Sequence, residues 1–128
     1  MNTKFKITLA VVAGAALGAV AVQGLHAQAK PKAYYVVEIE VLDATANTAY
    51  TPVVQAAQKA AGGRLFGTAG RRIVAFEGAP PKSVAISEWD SLEQVQAYRN
   101  SAAFKNLAPQ RDKAIKIIRS YAVEGPAN

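Results

Sequence analysis

The chain contains no cysteine, and its one histidine, His26, falls at the end of an apolar N-terminal stretch. Without cysteine, no disulfide can staple a small core and no Cys-His zinc site can form. If the N-terminal stretch is removed, no histidine is left either, which rules out Ser-His-Asp and Cys-His nucleophilic relays. Asp-rich calcium loops, a G-x-S-x-G elbow, a G-x-x-x-x-G-K-[ST] phosphate loop and a dinucleotide fingerprint are also missing. The expectation is therefore no metal and no cofactor. Proton transfer, if any occurs, is left to carboxylate, tyrosine or lysine.

The N-terminus has its own logic. Lys4 and Lys6 precede an uncharged run from Ile7 to Val22, and a polar stretch ends Ala27-Gln28-Ala29. A basic start, a short apolar core and an A-x-A end read as a secretory signal peptide over residues 1–29, cleaved after Ala29 or alternatively after Ala27. The opposing reading is an uncleaved anchor, but the run is shorter than the roughly 20 residues a span needs. The expected location is periplasmic or secreted, with no membrane contact after cleavage. Residues 30–32 then form a linker, 33–125 one small domain and 126–128 a tail. Residues 30–128 carry 13 Lys plus Arg against 9 Asp plus Glu, scattered except for Arg71-Arg72. Nucleic-acid binding would want a basic stripe interleaved with aromatics, and none exists.

Along the domain, Tyr35, Val37, Ile39 and Val41 alternate within Ala33 to Leu42, which predicts a strand. Asp43 caps a helix whose apolar stripe is Ala46, Tyr50, Val53, Val54, Ala57 and Ala61. Gly62-Gly63 ends it. Pro52 predicts a kink, or a second segment capped by Thr51. Arg64 to Ala69 reads as a strand, Arg72 to Glu77 as a short strand pairing back on it, and Ser83 to Trp89 as another. Asp90 and Glu93 stand at capping-box spacing, with Ser91 as the alternative cap. Helical turns follow, recapped at Ser101 and restarted at Pro109, before a last strand from Ile115 to Val123. The order is β-α-β-β-α-β, an α+β ferredoxin-like subunit with helices on one sheet face. The other face would need a second subunit to cover it.

The densest chemistry runs from Glu88 to Arg111. Glu88 falls on an otherwise apolar strand face, so it needs a cationic partner, and Arg64 or Arg111 can supply one. Tyr50, Trp89, Tyr98 and Phe104 are core residues on the plain reading and ligand walls on the sharper one.

These residues resemble a known family, called domain of unknown function 1330. The resemblance rests on Tyr34 before an apolar strand ending in Asp43, on Tyr50, and on Gly62-Gly63-Arg64. It continues through Glu77-Gly78, Glu88-Trp89, Ser91, Tyr98, Ser101, Phe104, Leu107, Arg111 and Glu124-Gly125. Ala44 and Ala97 depart from it, where the family commonly has proline and an aromatic. The resemblance implies a dimeric α/β barrel, hence a homodimer, and carries no established reaction. Two functional expectations follow. One is an exported protein that binds a small organic ligand without turning it over, with Arg64, Glu88, Arg111, Tyr50, Trp89, Tyr98 and Phe104 as ligand-binding candidates. The alternative is a cofactor-free oxygenase or isomerase acting on a small organic anion, with Glu88 as base and Arg holding the anion.

Overall fold

Alternation along the first strand sorts its side chains between a helix-covered face and an open one. The computed structural model describes residues 30–127, so the segment read as a signal peptide lies outside the described residues. Strand β1 is Ala33–Val41, β2 Arg64–Leu65, β3 Ser83–Trp89 and β4 Ile115–Glu124. They form one antiparallel sheet in the order β2-β3-β1-β4. Helix α1 is Ala44–Ala60, α2 Leu92–Asn100, α3 Ala102–Lys105 and α4 Ala108–Ala114. This is the ferredoxin-like arrangement that the element order predicts.

The helices cover one side of the sheet. Ala33, Tyr35 and Val37 of β1 pack there with Trp89, Val95 and Tyr98, and all are buried. A second cluster joins Tyr50, Ala114 and Ile115. Trp89 is completely buried and donates its indole N–H to Ser87 Oγ at 2.8 Å. The wall beside it must be bare backbone: a Cβ on Gly63 would sit 2.6 Å from the indole ring.

Local signals explain most boundaries. Asp43 accepts from Ala46 N at 2.8 Å and starts α1. At its far end Gly62 has φ 103°. Gly63 N then reaches Gln58 O at 2.9 Å, and Gly62 N reaches Lys59 O at 3.1 Å. These are the paired bonds of a Schellman cap. Ser91 caps α2 and Ser101 caps α3 through their hydroxyls, and Pro109 stands in the first turn of α4.

Several expectations need correction. Of the two readings of Pro52, the second segment capped by Thr51 fails: α1 runs through Pro52, and the Thr51 hydroxyl donates to Asn47 O instead of capping. Val53 does not belong to the inner stripe. It is exposed, and the buried position is taken by Gln58. Of the two caps expected for α2, Ser91 is the one formed: its Oγ accepts from Gln94 N, and Gln94 Oε1 accepts from Asp90 N just ahead of the cap.

The strand expected over Arg64–Ala69 forms only at Arg64–Leu65, with one further backbone bond from Phe66 N to Ile86 O, and no strand forms at Arg72–Glu77. Gly67 and Gly70 take φ of 67° and 74°, which turns the chain out of β geometry. Thr68 replaces the lost ladder with its side chain. Its hydroxyl donates to Val84 O at 2.8 Å and accepts from Ile86 N at 3.0 Å.

The opposite sheet face carries Tyr34, Val36 and Glu38 of β1 beside Val84, Ile86 and Glu88 of β3. On the other side of β1 lie Arg119, Tyr121 and Val123 of β4. Among the described residues no helix covers this face, and Phe66, Tyr121 and Val123 are exposed. No described helix is long and apolar enough to cross a membrane.

Candidate functional site

The sheet divides the expected site residues into two groups. Successive side chains of β3 point to opposite faces, so Glu88 and Trp89 cannot share a pocket. Glu88 lies on the open face. It accepts from Arg64 Nη2 at 2.8 Å and Nε at 3.0 Å, and from Lys32 Nζ at 3.0 Å. Arg64 also reaches Asp90 at 3.0 Å. The hydrogen bonds from Lys32 and Arg64 hold the Glu88 carboxyl below the usual carboxylate range. A carboxylate so stabilised is a poor proton acceptor. Of the two arginines that could have paired with Glu88, Arg64 does so and Arg111 does not.

Trp89, Tyr98, Phe104, Arg111 and Tyr50 fall on the helix side, where they do converge. The Trp89 and Tyr98 rings are 5.3 Å apart, and Tyr98 meets Phe104 edge-on at 5.5 Å. Two guanidinium groups lie over the Phe104 ring, Arg99 at 4.3 Å and Arg111 at 4.8 Å from its centroid. Each such contact is worth roughly 0.5–1 kcal/mol when exposed and more when dry. The Arg99 guanidinium also donates to Tyr35 Oη at 3.2 Å.

Three phenols therefore share this interior with two cations. Burial raises the pKa of Tyr35 and Tyr50, and Arg99 and Arg111 respectively pull them back. Tyr98 is pushed up to about 12, first by burial, then by Tyr35 and Tyr50, with Arg111 and Arg99 opposing. All three hydroxyls stay protonated near neutral pH and are available as donors.

Two of these groups are incompletely satisfied. Arg111 Nη1 and Tyr98 Oη are shut from solvent, and neither has a hydrogen-bond partner among the described residues. The nearest carboxylate to Arg111 is Asp112, 3.6 Å from Nε and itself well exposed. A buried guanidinium N–H without an acceptor is costly, so an acceptor supplied from outside the fold would be well received.

Space exists on both flanks of the cluster. One cavity of about 450 Å³ is lined by Leu42, Arg99, Phe104, Arg111, Ile115 and Lys116, among others. Another, also about 450 Å³, lies between α1 and the sheet, bordered by Tyr50, Val54, Gln58, Leu65, Thr68 and Ile86. Gln58 Oε1 is buried there without a partner. Volumes of this order suit a small organic molecule. Among the described residues no group of three or more acidic, His or Cys side chains could hold a metal ion.

Tyr35, Arg99 and Gln58 escape the sequence reading. Tyr35 enters only through the alternation of the first strand, and Arg99 is not singled out. Gln58 lies eight residues beyond Tyr50 on the same helical stripe, so its inward position was open to detection by spacing.

The fold and this interior define a ferredoxin-like α+β subunit with a polar, arginine-bearing helix–sheet seam. The chain belongs to the family described as Domain of unknown function (DUF1330), which it matches over residues 32–126. Among solved structures, it resembles a protein of unknown function from Rhodopseudomonas palustris with a TM-score of 0.57 and 13% identity. That match covers 85% of this chain and 93% of the other. The methylated form of the same protein gives a TM-score of 0.57 and 14% identity, over 84% and 90% of the two chains. At such identity the likeness concerns the fold alone. No curated protein matches the chain.

Proposed function

We propose that this is an exported homodimeric protein that binds a small organic anion in the seam between helices and sheet, without turning it over. One observation carries the binding reading: the Arg111 guanidinium has a nitrogen shut from solvent with no acceptor, and the Tyr98 hydroxyl, whose ring meets the same Phe104, is equally unsatisfied. A carboxylate accepts from both kinds of donor, and arginine is the side chain best shaped to hold one. Phe104 lines the cavity beside Arg111 and adds aromatic wall, which favours an anion with an apolar or aromatic body.

Catalysis has weaker support. The carboxylate that a cofactor-free oxygenase or isomerase would use as base, Glu88, is on the other sheet face and is held ionised by two cations. Export is supported by the basic, apolar and A-x-A order of residues 1–29. Dimerisation is supported by the uncovered, partly apolar sheet face.

The test is a thermal-shift panel of acetate, benzoate, phenylacetate and salicylate on the wild type and on Arg111→Met. At least one aromatic carboxylate should raise the wild-type Tm in a concentration-dependent way and leave the variant unmoved. If equal shifts appear in both proteins, or none in either, the anion site is wrong.

A further inference from the structure

The segment Arg72–Glu77 has strand chemistry without a strand's partners. R-I-V-A-F-E alternates, with Arg72, Val74 and Phe76 on one side and Ile73, Ala75 and Glu77 on the other. Among the described residues, no backbone group of Arg72–Glu77 makes a backbone hydrogen bond. All six residues have a backbone N–H, since none is proline. Phe76 is 93% exposed and Val74 57% exposed, an arrangement water does not favour for large apolar side chains.

The same chain has the complementary deficit. Strand β4 ends the sheet order, so its outer edge presents a ten-residue row of backbone groups that no other strand takes up. Tyr121, Val123 and Ile118 of this strand are exposed. Long apolar edges are normally covered, charged or paired. The arm is rooted nearby: Ala79, Pro80 and Pro81 border a hollow with Glu38, Ile118 and Arg119 on the open side of the sheet.

Area leads to the same answer. Strands of nine, seven and ten residues about 4.8 Å apart give an open platform of only about 400 Å² in projection. A stable interface buries roughly 800 Å² per partner. Two exchanged arms would supply much of the shortfall. The platform does not repel a second copy, because Glu38 is neutralised by Arg119 and Glu88 by Arg64 and Lys32.

We propose that Arg72–Glu77 is an exchange arm, which adds as a strand to the β4 edge of a second copy of this chain while receiving that copy's arm in return. This inference rests on the homodimer reading above and goes further, naming the segment that crosses and the edge that receives it. Each arm gains the hydrogen bonds it lacks, and Val74 and Phe76 extend the apolar row of Tyr121 and Val123, a cross-strand pairing that sheets favour. Two-fold symmetry makes the exchange close on itself, without growth into filaments.

The experiment is hydrogen exchange read by mass spectrometry on the full protein, beside sedimentation at the same concentrations, with Phe76→Asp and Phe76→Leu as variants. In the dimer, amides 72–77 should exchange at least about 10-fold more slowly than in the dissociated chain, as hydrogen-bonded strands do. Phe76→Asp should weaken the dimer by about 10-fold or more with an unchanged circular dichroism spectrum, and Phe76→Leu should retain it. A dimer whose amides 72–77 exchange freely overturns the arm and leaves the dimer standing. A chain that remains monomeric at tens of micromolar overturns both.

Discussion

At the scale of single residues, Arg111 and Tyr98 are built at a cost to stability. Each has a polar atom inside the protein that the described residues do not satisfy. Removing such an atom should leave the fold no weaker. Tyr98→Phe is therefore expected to keep or slightly raise Tm while losing the carboxylate-induced shift, because the ring still packs on Trp89 and Phe104. A drop in Tm of several degrees would instead mean that the hydroxyl is bonded inside the fold. The ionised carboxylates behave oppositely. Arg119 holds Glu38, and Lys32 with Arg64 holds Glu88, below the ordinary carboxylate range. Their folded-state pKa values lie below the unfolded ones, so their contribution is present above the unfolded value and lost as pH falls through the folded value. Tm should thus decline below about pH 4.5, where unfolded carboxylates begin to protonate. Glu88→Gln should flatten part of that decline, and a wild-type profile flat into strong acid would remove the pairs' contribution.

At the scale of elements, caps are what the sequence makes legible. Asp43, Gly62-Gly63, Ser101 and Pro109 act as local rules demand, because a cap depends on its neighbours within one turn. Strand partners are less legible, because pairing depends on residues far along the chain. The apolar alternation of Arg72–Glu77 reads as a hairpin strand, yet positive φ at Gly67 and Gly70 carries the chain off the sheet. The site shows the same limit. Tyr50, Trp89, Tyr98, Phe104 and Arg111 could be nominated by residue type, but which sheet face each one meets follows from register. Glu88 and Trp89, one position apart, end on opposite sides. Thr68 offers a test of how the short β2 edge is held. Its hydroxyl joins Val84 O and Ile86 N, so Thr68→Val should cost about 1–3 kcal/mol by stranding both groups. Thr68→Ser should cost much less, and denaturant midpoints of the two variants measure the difference.

For the whole molecule, the two sides of the sheet differ in chemistry. The helix side holds the aromatic and arginine seam, and the open side holds balanced ion pairs among apolar strands, a surface suited to a second copy. The proposed ligand binding and the proposed assembly can therefore be tested independently, by Arg111 for the one and Phe76 for the other. The chain also supplies its own reporter for the central claim. Trp89 is its only tryptophan, fully buried and 5.3 Å from the Tyr98 ring. The most direct measurement is a titration of benzoate followed by Trp89 fluorescence, on the wild type and on Arg111→Met. The wild type should give a saturable change. The variant should need at least about 10-fold more benzoate, since a charge-assisted hydrogen bond contributes roughly 1.5–3 kcal/mol. Matching midpoints for the two proteins, or no saturable change in the wild type, would contradict an anion held by Arg111 in the helix–sheet seam.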